Sequence, residues 1–252
     1  MRLADKVAVI TGGAGSIGLA SARALVAEGA KVMLVDLDSA ALAGAAESIG
    51  TAPSVAWQVA DVTDEAQVEG AIEATVSRFG GLDVAFANAG IYGVAAPLTE
   101  LPVEVFQRVL SVNVVGSMLL AKHALAAMRP GGSLIINSSV VGVTSAPNIA
   151  AYATSKHALV GLARTAAKEM APRGIRVNSL HPGPVDNDFQ HRVEIEETGA
   201  PEDEATRIFD SFIPLSRHAD PEEIAAAVVF LASDDSRFMT GAQLVVDGGL
   251  SI

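Results

Sequence analysis

The chain has 252 residues, 50% of them hydrophobic, 18% charged and none cysteine, which is ample apolar material to close a large core without covalent staples. A disulfide scaffold, low-complexity disorder, thiolate nucleophiles and thiolate metal ligands are excluded on that ground. The formal net charge of −12, from 17 Lys+Arg against 29 Asp+Glu, repels phosphate backbones and anionic headgroups, so neither nucleic acid nor a membrane surface is an expected partner.

Apolar runs rich in valine and isoleucine alternate along the chain with longer alanine-rich stretches. Val7–Ile10 is the first predicted strand, too short for the core of a signal peptide, and a helical span to about Glu28 follows. Val32–Val35, Val55–Val59, Leu82–Ala87, Ser133–Asn137, Arg176–Leu180 and Gln243–Val246 are the other strand candidates. Their hydrophobicity is continuous rather than alternating, as in parallel strands covered on both faces. Strands separated by helices predict an α/β fold, a doubly wound seven-stranded parallel sheet with helices on both faces. No linker or repeat interrupts residues 1–252, so one domain is expected. The mean hydropathy of +0.38 invites a membrane span, but Pro130–Ser155, the longest stretch free of Asp, Glu, Lys and Arg, carries prolines, glycines and many hydroxyls. A soluble, cytoplasmic protein is the expectation. Near the C-terminus, Asp220-Pro221-Glu222-Glu223 predicts a helix start, with an N-cap, a proline at the first position and an acidic first turn.

The first strand runs into Thr11-Gly12-Gly13-Ala14-Gly15-Ser16-Ile17-Gly18 and then into a helix, which places G-x-G-x-x-G at Gly13, Gly15 and Gly18. Glycines there let the backbone turn sharply and approach a pyrophosphate, to which the helix N-terminus presents unpaired N–H groups. Asp36 ends the second strand, 18 residues beyond Gly18, where a carboxylate would accept from the adenosine ribose hydroxyls and repel a 2′-phosphate, favouring NAD. The competing role for Asp36 is to cap the next helix, which Asp38 or Ser39 could do as well.

Tyr152-Ala153-Thr154-Ser155-Lys156 puts a phenol and an ammonium on one helix face. A fixed cation favours the phenolate of a group whose ordinary pKa is about 10, although such a pair also arises on any amphipathic helix with an exposed lysine. Ser138-Ser139 ends the strand from Ser133, and the carboxyl ends of parallel strands are where α/β sheets hold ligands. A serine hydroxyl there would donate to a substrate carbonyl.

These residues resemble the short-chain dehydrogenase/reductase family. The resemblance spans the chain, through Thr11–Gly18, Asn88-Ala89-Gly90, Asn113, Ser139/Tyr152/Lys156, Pro182-Gly183, Thr240-Gly241 and Val246-Asp247-Gly248-Gly249. It implies that Tyr152 is the general acid/base, Ser139 the substrate-orienting donor, and Lys156 the group that lowers the tyrosine pKa and holds the nicotinamide ribose. It also implies that Asn113 positions a proton-relay water. Gly12, Gly15, Ser16, Ile17 and Gly18 would hold the dinucleotide, with Asp61 and Val62 at the adenine, Asn88 and Gly90 at the central sheet, and Pro182, Gly183 and Val185 near the carboxamide. A buried, hydrogen-bonded amide is the alternative for Asn88 and Asn113. Two positions depart from the family pattern: Ser16 stands in place of a glycine and Asn187 in place of a threonine, with Asp186 adding a negative charge near the pocket mouth.

The resemblance implies a substrate lid at about 184–214. Asp186–Asp210 holds nine acidic residues against Arg192 and Arg207, a local net of −7. Either this is a solvated helical face with Phe189, Ile195, Ile208, Phe209 and Phe212 turned inward, or the lid disfavours anionic substrates. Tyr92, Val141, Val143, Asn148 and Phe189 are pocket candidates, pointing to a small, neutral, hydrophobic secondary alcohol or ketone. The five histidines show no metal-binding spacing, so no metal is expected. Ala151–Ala171 and Pro102–Met128 are the helices through which the family forms homotetramers. The reading is an NAD-dependent oxidoreductase of secondary alcohols and ketones. Its rivals are an NADPH-dependent 3-oxoacyl reductase of the same fold and a non-catalytic dinucleotide-binding sensor or scaffold.

Overall fold

The computed structural model describes residues 1–50 and 53–252. Seven parallel strands form one sheet in the order β3-β2-β1-β4-β5-β6-β7. They are β1 (Val7–Thr11), β2 (Lys31–Asp36), β3 (Val55–Val59), β4 (Val84–Ala87), β5 (Ser133–Asn137), β6 (Arg176–Pro182) and β7 (Gln243–Val246). The helices are α1 (Ser16–Ala27), α2 (Ser39–Ile49), α3 (Glu65–Phe79), α4 (Val103–Leu110), α5 (Gly116–Ala127), α6 (Ala150–Met170), α7 (Asp188–Thr198), α8 (Glu202–Phe212) and α9 (Pro221–Ala232).

Successive strand residues point to opposite faces, so a strand buried on both sides must be apolar throughout. On β1, Ala8 and Ile10 pack with Leu25 of α1, Leu42 of α2 and Val228 of α9. Val9 packs on the other face with Ile72 of α3, Leu120 of α5 and Leu159 of α6. Connections leave β1 toward β2 and β4 toward β5, and β1 pairs directly with β4 through Ala8↔Val84. The strand order therefore reverses between β1 and β4, and ligands of such sheets sit in the crevice outside that point.

The fourth strand begins at Val84 rather than at Leu82. The Asp83 carboxylate, not a carbonyl, takes the Val7 amide at 2.9 Å and the Arg129 guanidinium at 3.0 Å, so the regular ladder starts at the residue after it. The predicted start of α9 holds, with Pro221 at its first position and the Asp220 amide donating to Glu223 Oε2 at 2.9 Å. Between α4 and α5 the helix widens into a π-type turn over Ser111–Val115, which holds Asn113. The stretch Val103–Ala127 is long and apolar enough to cross a membrane, yet more than half of its apolar window is buried inside the fold.

Candidate active site

A cavity of 670 Å³ opens along the carboxyl ends of the strands, from the β1–α1 turn to α7 and α8. Gly12 adopts φ +64°, and a Cβ there would lie 2.9 Å from Asn88 Nδ2. At Gly18 a Cβ would fall 2.1 Å from the Gly12 carbonyl oxygen, so the turn closes only with glycine. Gly13 backs onto Leu34 in the core, whereas Gly15, Ser16 and Ile17 line the cavity. No side chain among the described residues caps α1, which begins at Ser16 on the cavity wall, so its first amides are left for a ligand.

Asp36 lies on the wall at the end of β2, held by the amides of Ala14 at 3.1 Å and Leu37 at 2.8 Å. It does not cap α2. Asp38 does, accepting from the Ala40 and Ala41 amides. The Asp36 carboxylate is thus positioned for something other than its own helix. Asp61 and Val62 lie next along the wall, and the Thr63 amide and hydroxyl, at 2.8 and 2.7 Å, hold the Asp61 carboxyl below its ordinary pKa. Arg108 also lines this half, a cation that no sequence motif flagged.

Asn88 and Asn113 brace the sheet. The Asn88 amide donates to the Thr11 and Gly12 carbonyls, both at 3.1 Å, and accepts from Asn137 Nδ2 at 2.9 Å. Asn113 is fully buried; its Oδ1 accepts from the Ile91 amide, and its Nδ2 donates to the Ile91 carbonyl and to Ser155 Oγ. Its side chain is spent on tying the Gly90–Ile91 loop to α6. Asn113 is thus a buried, hydrogen-bonded amide, whereas Asn88 is partly buried and also lines the cavity.

Ser139, Tyr152 and Lys156 converge in the middle of the cavity. Ser138 is structural, donating to the Lys156 carbonyl at 2.8 Å, while Ser139 is held by His181, whose Nδ1 donates to the Ser139 carbonyl at 2.8 Å. Lys156, nearly fully buried, donates from Nζ to the Asn137 carbonyl at 2.9 Å and lies 5.4 Å from the centre of the Tyr152 ring. The rings of Tyr92 and Phe189 flank Tyr152 at 5.5 and 6.5 Å.

Burial pushes the Tyr152 phenol up to about 12, against a hydrogen bond from Ser139 that pulls it down, and burial pushes Lys156 down to about 7. Taking both groups out of water disfavours both charges.

At the end of β6, Gly183 leaves no room for a Cβ, which would sit 2.7 Å from Asp247 Cα; Pro182 and Val185 share the wall with it. Asn187 lines the cavity and caps α7, accepting from the Gln190 amide at 2.8 Å. Asp186, between the lining residues Val185 and Asn187, does not itself line the cavity. It is exposed and pairs with His191 at 3.1 Å.

Over the substrate half, Tyr92, Val141 and Phe189 line the cavity as expected, joined by Ile149, Val193 and Phe209. Val143 and Asn148 do not. Val143 points to solvent, and Asn148 sits at φ +67° with its carbonyl accepting from the Ala96 amide at 2.9 Å. Ile195 is 38% exposed rather than turned inward, and Phe212 lines the cavity while remaining 61% exposed. The acidic face is not uniformly solvated either. Glu194 is fully buried, bonded to His218, which also meets Asp210 at 2.8 Å, and Glu197 takes the Tyr92 hydroxyl at 2.6 Å on the cavity wall. Neither partner lies near its glutamate in sequence, so no local pattern announces these contacts.

The cavity fits a dinucleotide on its own terms. The glycine turn leaves backbone exposed where a Cβ would block it, and a carboxylate stands one strand over. Asn137, on the wall, keeps a buried side-chain oxygen without a partner among the described residues. The family model described as "Enoyl-(Acyl carrier protein) reductase" matches residues 12–251. "Short-chain dehydrogenase reductase 3a" of Arabidopsis thaliana is 38% identical, over 100% of this chain and 97% of its own length. "Levodione reductase" of Leifsonia aquatica is 40% identical over 99% and 96%. The crystal structure of an NAD+-bound xylitol dehydrogenase superposes with a TM-score of 0.94 at 36% identity, covering 99% of this chain and 100% of that one.

Proposed function

This chain belongs to the short-chain dehydrogenase/reductase family, an oxidoreductase family, and from that premise we propose that it transfers hydride between a secondary alcohol or ketone and NAD. The convergence of Ser139, Tyr152 and Lys156 beside the glycine turn, in one cavity, carries this reading. When bound, the dinucleotide supplies the hydride acceptor or donor and, in its oxidised form, a positive ring beside the phenol. Gly12, Gly15, Ser16, Ile17 and Gly18 would hold its phosphates, Asp36 its adenosine ribose, Asp61 and Val62 its adenine, and Lys156 its second ribose. Pro182, Gly183 and Val185 would flank its carboxamide. Tyr152 moves the hydroxyl proton at Oη, and Ser139 Oγ orients the substrate oxygen. Asn113, Asn88 and Gly90 keep that geometry rigid.

Asp36 favours NAD over its phosphorylated form because a carboxylate repels a 2′-phosphate. The relatives' names, a levodione reductase and a xylitol dehydrogenase, agree with substrates that are small alcohols or ketones. Carrier-bound acyl groups are anionic, and the acidic α7–α8 segment argues against them. We assign residues 184–214 as a lid, the whole chain as one catalytic domain, and the working form as a cytoplasmic homotetramer.

An absorbance screen for NAD+ and NADP+ reduction across secondary alcohols, polyols, steroids and sugar alcohols tests the assignment. NAD+ is expected to be reduced well ahead of NADP+, with Asp36→Ala narrowing the gap at least tenfold. Tight NAD+ binding without turnover of any alcohol would instead make the protein a sensor.

A further inference from the structure

Eight of the nine acidic residues of Asp186–Asp210 lie on α7 and α8, and only one of those eight, Glu197, is on the cavity wall. The other walls that these helices supply are Phe189, Gln190, Val193, Phe209 and Phe212. Its neighbours are otherwise engaged: Glu194 is bonded to His218, and Glu196 takes the Ala95 amide at 2.6 Å. Among the described residues, Glu197 has no lysine, arginine or histidine partner, and its one hydrogen bond comes from the Tyr92 hydroxyl at 2.6 Å. The Tyr92 ring in turn packs against Tyr152. The carboxylate is therefore tied through Tyr92 to the proposed proton-transfer residue, on a residue that lines the cavity and keeps acceptor capacity beyond the Tyr92 bond.

We infer that Glu197 is a specificity-determining residue that accepts a hydrogen bond from a second donor on the substrate, a hydroxyl or an ammonium across an apolar body from the reacting carbon. A carboxylate at that end is rejected by charge. The inference rests on the alcohol/ketone reading and narrows it. Glu197 is an exposed residue, yet partial desolvation at the cavity wall and the neighbouring Glu196 and Glu194 raise its pKa against the Tyr92 hydrogen bond, which lowers it. A donor from the substrate would relieve that cost, which is why pairing here discriminates strongly.

The test compares cyclohexanol, 1,4-cyclohexanediol, 4-aminocyclohexanol and 4-hydroxycyclohexanecarboxylate with NAD+ in the wild type, Glu197→Gln and Glu197→Leu. In the wild type the diol and the amino alcohol are expected to exceed cyclohexanol in kcat/KM by about tenfold, and the acid to fall below it by as much. Glu197→Leu should compress the series to within about twofold. The isosteric Glu197→Gln, which keeps an acceptor and the Tyr92 contact, should release the acid while retaining part of the diol preference. Equal efficiencies across the wild-type series, or a preference for the acid, would overturn the assignment and leave the dehydrogenase reading intact. If none of the four is oxidised, calorimetric binding to the protein with NADH separates the two ideas. The same order of affinities would support the subsite while the dehydrogenase reading falls, and equal affinities would sink the subsite.

Discussion

Tyr152 and Lys156 are each held in the form that burial prefers, so what the pair does depends on charge brought to it. Tyr152→Phe removes the transferable proton but keeps the ring between Tyr92 and Phe189; turnover should fall by about 10²–10⁴ while NADH still binds, read by fluorescence titration. Lys156 gives a prediction with a definite sign. Its folded pKa of about 7 lies below the 10.5 of the unfolded chain, so between those values the unfolded state binds more protons and wild-type stability rises with pH. Lys156→Met abolishes that slope. Chemical denaturation from pH 7 to 10.5 should show the wild type gaining on the variant, and parallel curves would refute the burial of this amine. At this scale the sequence revealed the groups that act and hid those that position them. Ser139, Tyr152 and Lys156 announce themselves by spacing, whereas His181 under Ser139, Arg108 on the wall and Glu197 against Tyr92 owe their environments to contacts across the fold.

Elements carry the next constraints, and the β1–α1 turn is the tightest. With only 2.1 Å between a Cβ at Gly18 and the Gly12 carbonyl, Gly18→Ala must open the turn, and a substantial loss of stability together with most of the NAD affinity is expected from thermal melts with and without cofactor. The glycine pattern foretold this. It did not foretell how α7 and α8 are clasped. Burial lowers the His218 pKa, but the hydrogen bonds to Glu194 and Asp210 outweigh it and raise the net value; Glu194 is pushed up by burial and brought below its ordinary value by His218, Gln190 and Thr206. The His191 ring, itself between Asp186 and Glu202, packs edge-on at 6.4 Å. A raised histidine contributes stability that is complete below 6.5 and lost as pH climbs through the folded pKa; a lowered glutamate contributes above 4.5 and is lost on acidification through its folded pKa. The clasp is therefore tightest in mildly acidic solution. Hydrogen exchange of the α7–α8 amides should quicken, beyond the intrinsic pH effect, as His218 deprotonates. His218→Ala, which leaves the buried Glu194 only Gln190 and Thr206 as donors, should cost about 1–3 kcal/mol and erase that dependence.

For the molecule as a whole, the alternation of apolar runs and helices fixes the layers because a strand covered on both faces has no polar side to spare, and all seven predicted strands are present. Charge placement was less legible, since a count of carboxylates does not say which are buried. The same limit applies to assembly, where the surface must be read directly. On α6, Thr154, Ala158, Gly161 and Thr165 are exposed at spacings of four, three and four, one face of a helix, and a Cβ at Gly161 would meet nothing within 4 Å of its own chain. Glycine is thus not demanded there by the protomer. Val115 and Met118, 41% and 39% exposed, lie on the adjoining helical stretch. A surface this small-sided would let a second copy approach closely about a two-fold axis, the arrangement from which closed tetramers are built. Light scattering at micromolar concentration should return four times the 25.7 kDa chain mass, and Ala158→Arg should lower it without changing the circular dichroism. Because each copy carries −12, repulsion opposes assembly and is screened by salt, so the variant's dissociation should be partly reversed at high ionic strength. A monomeric mass for the wild type at any salt concentration would show that the bare face of α6 serves something other than a second copy of this chain.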